Sequence, residues 1–460
     1  MEMNKKEPGI FDAPYRALTI GIIIAVTTVA FEGLAITTIA PKLAGQLQGL
    51  HLYGWIFSTF LLSQIIGTMV MGQQINRRGV YASFILSFVF FVLGIVIAAT
   101  AWNMPVLIVG RAFQGFGAGA IVTCVYYSIS LGYPDEIRTK ILAAFSSAYI
   151  LPALIGPYVA GLVAEYLSWR FVFWMVIPFI VLAVALTLPT FRKFQVNRVA
   201  EISNGKKEGY AVLLAVGTGM LLSGLGSVTE WKGLLLSLAG IAIMIQPLRK
   251  LLPEGTMKLK RGLPTTIVVR GLFVASYFAT ESYVVLALTE VKGLSAHFAG
   301  LIVAAGALSW SAAAWLQAKL DANDKGTGRQ KRVVIGTGLM IVGVAMVIVA
   351  IALSWGGIWL AIFSQILSGF GIGLAHPTTG AMALQQVEAG KEGEVSANIQ
   401  FTDAFSPGLS IGIGGALIAV SETFQWGILN GVMLALAVQL LFVILSLAFS
   451  FRELYVRERL

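Results

Sequence analysis

Long apolar runs follow one another along the whole chain, separated by short segments that contain charged residues, Pro or Gly. Most runs reach the roughly 20 residues that a helix needs to cross the hydrocarbon of a bilayer. Apolar windows bounded in this way predict fourteen transmembrane helices, at residues 17–40, 53–74, 80–101, 104–131, 140–166, 169–189, 209–229, 233–252, 264–290, 296–319, 332–354, 357–385, 396–421 and 424–450. Span 8 is the weakest, because its uninterrupted apolar stretch ends early at Arg249 and Lys250. Spans 7 and 8 are expected to cross the membrane, and the alternative is a hairpin that lies on the membrane surface.

The composition favours a membrane protein over a soluble one. Of 460 residues, 57% are hydrophobic and 12% are charged, and the mean hydropathy is +0.83, whereas soluble domains carry about a quarter charged residues. We therefore expect an all-α integral membrane protein. The polar residues 1–16 precede an apolar run that is too long for the core of a signal peptide, so no removable leader is expected. The single Cys124 excludes an intrachain disulfide.

Basic residues alternate between the loops in a way that predicts the orientation. One set of alternating segments holds 26 Lys and Arg residues, and the other set holds only Lys42, Arg170, Lys232 and Lys292. Since cytoplasmic loops carry the excess of Lys and Arg, both termini are expected in the cytoplasm, in a multi-pass protein of the inner (plasma) membrane. The net charge of +10 is thus spread over many loops, which argues against a nucleic-acid partner.

The second half of the chain repeats features of the first. The stretch RAFQGFGAG at 111–119 in span 4 is answered by QILSGFGIG at 365–373 in span 12. Pro152 and Trp169 are answered by Pro407 and Trp426 at nearly the same offset. Spans 1–6 therefore correspond to spans 9–14, which predicts two six-helix halves, residues 1–190 and 263–460, with a linker and two additional helices at residues 191–262.

Four charged residues lie well inside predicted spans, where a charge costs about 2.5–3.5 kcal/mol on insertion scales, so they are functional candidates. Glu32 and Glu281 occupy matching places in spans 1 and 9. A carboxyl group without water favours its neutral form, which suits a proton-coupling site, and the alternative is an acid permanently bonded to Arg111 or a hydroxyl. Asp403 suits either a functional or a structural role equally. Arg270 lies nearer the end of span 9 and is expected to be structural.

Four short motifs resemble the major facilitator superfamily, specifically its fourteen-span drug:proton antiporters. GQQINRRG at 72–79 resembles the superfamily loop motif G-x-L-A-D-R-x-G, in which Gly72, Arg77 and Gly79 match and Asn76 replaces the acid. LIVGRAFQG at 107–115 resembles the span 4 motif whose Arg is linked to proton transfer. PALIGPYVAG at 152–161 resembles the antiporter motif of span 5 and contains Gly156, Pro157 and Gly161. FEGLAITTIAP at 31–41 resembles the signature of span 1, with Glu32 at the position of its acid.

The resemblance implies a proton-coupled exporter of amphipathic or lipophilic compounds, working by alternating access, with spans 1, 4, 9 and 12 around a central cavity. Proton coupling is expected at Glu32, Arg111, Glu281 and Asp403. Aromatic side chains suit a wall for lipophilic cations, and the candidates for the cavity, each also explicable by packing, are Tyr127, Tyr149, Tyr277, Trp310 and His376. The expected partners are a small amphipathic substrate, protons and the lipid bilayer, for a monomer without cofactor or metal.

Other classes of protein fit the sequence less well. A lipid or metabolite carrier of the same fold is the alternative within transporters. A membrane-embedded enzyme would need clustered His, Asp or Ser at one membrane face, and the sequence has no such cluster. No Gly-rich ATP-binding loop ending in Lys-Ser or Lys-Thr occurs either. We therefore predict a transporter driven by an ion rather than an enzyme.

Overall fold

The computed structural model describes residues 9–193, 206–353, 357–386 and 392–457, without the side chains of residues 76, 135, 136, 139, 143, 146, 206, 392, 393 and 452–457. We number the helices α1 to α14, so that each carries the number of its predicted span. They are α1 Arg16–Gln46, α2 Leu50–Ile75, α3 Arg77–Ala99, α4 Met104–Gly132, α5 Asp135–Ser147 with Ile150–Tyr166, α6 Trp169–Trp174 with Ile177–Phe191, α7 Lys206–Gly226, α8 Trp231–Leu251, α9 Leu263–Leu286 with a π-helical end Ala287–Val291, α10 Ala296–Asp324, α11 Arg329–Ala352, α12 Gly357–Gln385, α13 Glu392–Thr423 and α14 Ile428–Arg457.

Each predicted span corresponds to one of these helices, and no strand occurs in the described ranges. Thirteen of the helices are long and apolar enough to cross a membrane, including α7 and α8. The fourteenth, α5, contributes the shorter apolar segment Ile150–Tyr166. The predicted all-α fold of about fourteen transmembrane helices is confirmed, and the chain is a multi-pass membrane protein.

The prediction of one continuous helix over residues 140–166 is wrong, because α5 is broken at Ala148 and Tyr149. Pro152 has no N–H and cannot donate to the carbonyl of Ala148, four residues earlier, as an unbroken helix requires. That free carbonyl instead accepts a hydrogen bond of 3.1 Å from Thr27 of α1. Pro152, at the start of the span 5 motif, thus breaks α5, and the freed carbonyl of Ala148 links α5 to α1.

The two six-helix halves repeat the same packing of glycines on neighbouring backbones. A Cβ atom at Gly115 of α4 would overlap the carbonyl of Phe60 in α2, and one at Gly369 of α12 would overlap the carbonyl of Gly306 in α10. Small residues let membrane helices approach this closely. Gly306 stands 246 residues after Phe60, and Gly369 stands 254 residues after Gly115. The sequence repeat therefore reflects a repeated arrangement of helices.

The additional helices α7 and α8 form a hairpin on one side of the bundle. α7 packs against α2 of the first half and α13 of the second, whereas α8 packs on α7. Side chains from all four helices form one cluster, among them Leu62, Leu214, Met244 and Phe405. In the apolar window of α8 only 28% of residues are buried, against 89% for α9, so α8 is peripheral and α9 is central. Residues 194–205 lie outside the described ranges, and the division at residues 190 and 262 stays a prediction.

The two ends of the bundle differ in how the halves meet. We call the end where α1 begins and α14 ends the terminal face, and the other end the opposite face. Toward the opposite face Tyr53 donates a hydrogen bond of 3.0 Å to the carbonyl of Ser282, and Ser58 donates one of 2.6 Å to that of Gly408. A contact between His297 and Glu165 joins the halves toward this face as well. The halves are therefore closed against each other at the opposite face.

Candidate functional site

A buried ion pair joins α1 to α4. Arg111 donates through Nη1 to Oε1 of Glu32, and the Glu32 and Arg111 side chains are 3% and 1% exposed. The guanidinium also donates to the carbonyl of Ile56 at 3.0 Å and lies 4.3 Å from the ring centroid of Phe60. The contact between Glu32 and Arg111, which the sequence analysis gave as the alternative to a proton-coupling acid, is thus present, and α2 helps to hold the arginine.

The carboxylate of Glu32 is only half satisfied. Gln114, one turn after Arg111 on α4, donates from Nε2 to Oε1 of Glu32 at 3.1 Å. The second oxygen, Oε2, is buried and has no hydrogen-bond partner. A buried acceptor without a partner is costly, so this oxygen is a place where a proton or a polar group of a ligand would be stabilised.

A second charged network lies in the other half, nearer the terminal face. Arg270 of α9 donates to both carboxylate oxygens of Asp403 in α13, each at 2.7 Å. It also donates to the carbonyl of His376 at 2.6 Å and to the hydroxyl of Thr379 at 3.0 Å, both in α12. The Nε2 atom of His376 is 2.7 Å from the guanidinium and 3.3 Å from Asp403. A two-pronged pair of this kind fixes the mutual orientation of three helices.

The two networks differ in their access to water. In the second network the side chain of Arg270 is 4% exposed, whereas those of Asp403 and His376 are 29% and 27% exposed although they lie inside spans. Arg270 points to Asp403 rather than to the membrane surface. Its expected structural role therefore includes holding Asp403, which is itself a candidate for proton coupling. Asp403 and His376 therefore line accessible space, which Glu32 and Arg111 do not.

Glu281 stands apart from both networks. It lies in α9, is 6% exposed, and within the described chain makes no hydrogen bond or ion pair. Tyr277 precedes Glu281 by one turn on the same helix and is also buried. The structure does not bring Glu281 into contact with Glu32, its counterpart in the first half.

Three of the five aromatic or imidazole candidates form one group in the second half. The ring of Trp310 lies 5.2 Å from that of Tyr277 and 5.5 Å from that of His376, and Phe278 joins them at 6.0 Å. Because His376 also contacts Arg270, this aromatic group is continuous with the second charged network.

The other two candidates lie in the first half and do not meet each other. Tyr149, at the break in α5, is 39% exposed and lies 6.0 Å from Phe145, which contacts Tyr126. Tyr127 is half-buried and packs against the main core of the first half. Tyr149 is therefore a candidate for contact with a ligand, and Tyr127 contributes to helix packing.

The loop motif at residues 72–79 lies at the terminal face. Gly79 has φ of 81° and ψ of 164°, a backbone conformation that essentially only glycine adopts, which explains the glycine at this position. A Cβ atom at Gly72 would meet no atom within 4 Å, and Arg77 is exposed. The side chain of Asn76 lies outside the described part of the chain, so its role stays a prediction.

The motif of α5 packs the two halves together at the opposite face. A Cβ atom at Gly161 would lie 2.6 Å from Cα of His297 in α10, and one at Gly300 would lie 2.7 Å from the carbonyl of Pro157. Gly156 faces α1, where a Cβ atom would contact Phe31 at 3.4 Å. Two positions of the motif thus form the seam between α5 and α10, and the third packs beside the residue preceding Glu32.

Sequence reasoning missed contacts that are remote in sequence. Glu165 at the end of α5 and His297 at the start of α10 are joined by a contact of 2.5 Å between Oε2 and Nδ1. Glutamates and histidines are common at helix ends, and the sequence carries no signal that pairs Glu165 with His297. For Arg270 and Asp403 a signal was present, because opposite charges lie at similar depths in spans 9 and 13.

Comparison with known families identifies the chain. The sequence model of the Major Facilitator Superfamily matches residues 20–354, which is most of the chain. This chain belongs to the Major Facilitator Superfamily. The predicted family and the predicted arrangement of two six-helix halves with two additional helices are confirmed.

Its relatives are transporters rather than enzymes. Multidrug resistance protein 3 of Bacillus subtilis (strain 168) is 21% identical over 423 residues, which cover 88% of this chain and 80% of that protein. The MFS-type transporter pydD of Acremonium sp is 30% identical over 237 residues, or 50% of this chain and 41% of that protein. The crystal structure of a D-xylose-proton symporter has a TM-score of 0.66 and 15% identity, with 94% of this chain and 96% of that one covered. The chain is thus a superfamily transporter with multidrug-efflux relatives at low identity.

Proposed function

We propose that this chain exports amphipathic compounds in exchange for protons, by alternating access across the plasma membrane. The observation that carries the proposal is the half-satisfied carboxylate of Glu32, buried in the middle of the bundle against Arg111. A carboxyl group in such a place holds a proton in a dry state of the cycle and releases it when water enters. Its positive neighbour prevents the charged form from being prohibitively costly.

The orientation follows from charge. The terminal face carries the segments that are rich in Lys and Arg, so the positive-inside rule assigns it to the cytoplasm. The opposite face, where Tyr53, Ser58 and His297 join the halves, is then the outer face, and the structure corresponds to a state that is closed to the outside. Reporter fusions at Lys325 and Lys232 test this assignment, and a periplasmic signal at Lys325 would overturn it.

The class of substrate is inferred from the second half. Tyr277, Phe278 and Trp310 provide aromatic rings, and Glu281 adds a buried carboxylate one turn away from Tyr277. Rings with a single nearby acid suit a large apolar molecule with at most one positive charge. The name of the Bacillus relative, Multidrug resistance protein 3, agrees with such cargo.

Transport by the purified chain in proteoliposomes tests the proposal. Vesicles with an imposed pH gradient are tested with a panel of lipophilic cations, neutral antibiotics and fluorescent lipids. We expect uphill movement of lipophilic cations that stops when the gradient is collapsed by a protonophore. Movement of labelled lipid alone would favour the lipid carrier, and movement that is indifferent to the pH gradient would refute proton coupling.

A further inference from the structure

The outer ends of the two halves carry matching pairs of a histidine and a glutamate. His297 of the second half contacts Glu165 of the first at 2.5 Å. On the other side of the bundle the first turn of α2, which contains His51, packs against α13, which carries Glu422 at its outer end. Each half therefore contributes one histidine and one glutamate, and each pair spans the boundary between the halves.

The positions of these four residues follow the internal repeat. His297 stands 246 residues after His51, the same offset as between Phe60 and its counterpart Gly306 in the glycine packing. Glu422 stands 257 residues after Glu165, as Trp426 does after Trp169. The chain has three histidines, and two of them are placed at these symmetric positions.

Each pair lies beside a close contact between the halves. Gly161, one turn before Glu165, packs its backbone on His297, and on the other seam a Cβ atom at Gly54 would lie 2.9 Å from Cα of Gly415. The Glu165 and His297 side chains are 36% and 16% exposed, so protons reach them from the water outside. An imidazole gains its charge between about pH 5 and 8, and an ion pair with an ionised glutamate exists only while that charge is present.

We propose that the two histidine–glutamate pairs are proton-sensitive latches that hold the outer face closed when the outside is acidic. In an antiporter, a proton binds from the outside, and the outer face must then close before the protein can return to the inward-facing state. A latch that forms on protonation therefore acts in the required direction. The assignment of this face to the outside rests on the proposed function.

Other charged or titratable groups surround the better-defined latch. Lys42 of α1 donates to the carbonyl of Ala164, next to Glu165, and the ring of Tyr158 in α5 lies 6.3 Å from the His297 ring. Lys292, before α10, donates to the carbonyl of Leu353, and Glu290 lies in the π-helical end of α9. Lys42 and Lys292 are thus bonded to backbone carbonyls rather than to Glu165 or His297.

The test measures closure directly and needs no substrate. Spin labels at the exposed Leu167 and Leu301, in a background with Cys124 replaced by Ala, report the distance between α5 and α10 in nanodiscs at pH 6 and pH 8. We expect the ratio of closed to open protein to fall by up to about fivefold per latch at pH 8, the range of a partly exposed ion pair. Glu165→Gln and His297→Gln should each remove part of this change, and His51→Gln with His297→Gln all of it.

The controls separate the latch from the transport proposal. Glu230→Gln removes an exposed acid of the hairpin loop and should leave the pH response unchanged. The exchange of Glu165→His with His297→Glu keeps an ion pair and should restore the response if single variants fold poorly. A full pH response in the double histidine variant would overturn the latch. A clear latch response with no proton-driven transport would instead refute the proposed function.

Discussion

The substitution Glu32→Gln isolates the proton-coupling role proposed for α1. Glutamine keeps the size of the side chain and an oxygen that can accept from Arg111, but it cannot take up or release a proton. Each unit of pH gradient supplies about 1.4 kcal/mol per proton, so a gradient of two units through one carboxylate supports a concentration ratio of about 100-fold. We expect the wild type to approach this ratio in vesicles with the membrane potential clamped at zero, and Glu32→Gln to stay near unity.

Folding must be separated from coupling in this experiment. Removal of one partner from a buried ion pair costs about 3–5 kcal/mol, and Arg111 keeps the carbonyl of Ile56 and the side chain of Gln114 as acceptors, so the loss should be at the lower end. Glu32→Asp retains the charge on a shorter side chain and should keep part of the transport. Size-exclusion profiles and binding of a fluorescent substrate check both variants. Uphill accumulation by folded Glu32→Gln would refute the reasoning and direct attention to Glu281 and Asp403.

Three further predictions concern other parts of the fold. Asp403→Asn leaves Arg270 buried without a counter-charge, so we expect a thermal unfolding midpoint well below the wild type, and a double-mutant cycle with Arg270→Ala should show strong coupling. Leu214→Trp overfills the cluster between α7 and the two halves, at a cost of about 1–3 kcal/mol of stability, and should slow transport. As a control, Leu238→Trp in α8, where the Leu238 side chain is 54% exposed, should change neither stability nor the transport rate. Gly79→Ala strains a backbone with φ of 81° by about 1–3 kcal/mol, and a lower yield of folded protein in a fluorescence-detected size-exclusion assay would reveal it.

The fold could be predicted from the sequence because a bilayer imposes a simple rule. A helix must be apolar over about 20 residues to cross the hydrocarbon. The number of long apolar runs therefore predicts the number of helices, even for the short span that corresponds to α8. The break in α5 was harder to foresee, since proline is tolerated in membrane helices when neighbours satisfy the freed carbonyl. Here the neighbour is Thr27, more than 120 residues away in the chain, and no local pattern identifies it.

The candidate site was predictable residue by residue but not as an assembly. Glu32, Arg111 and Asp403 were found because charges in a membrane are costly and therefore rare. Their partners depend on which helix faces lie together, and a polar residue such as Thr379 carries no signal of its own because threonines also occur at helix–helix contacts without function. The pair of Glu165 and His297 lies near the membrane surface, where the cost of charge gives no guidance.

The depths of the two charged networks suggest how the halves divide the work. Glu32 lies 16 residues into α1 and Arg270 lies seven residues into α9, which places them about 24 Å and about 10 Å from the starts of their helices at 1.5 Å per residue. With the opposite face closed, the deeper pair is dry and the shallower network has Asp403 29% exposed. Rocking of the halves to close the terminal face would reverse this, because it buries Asp403 and opens the region beside Glu32. The halves would thus expose an acid to water in turn, Glu32 when the opposite face is open and Asp403 when the terminal face is open. Measuring solvent accessibility at both carboxylates in each state therefore tests the proposed coupling more directly than a transport rate does.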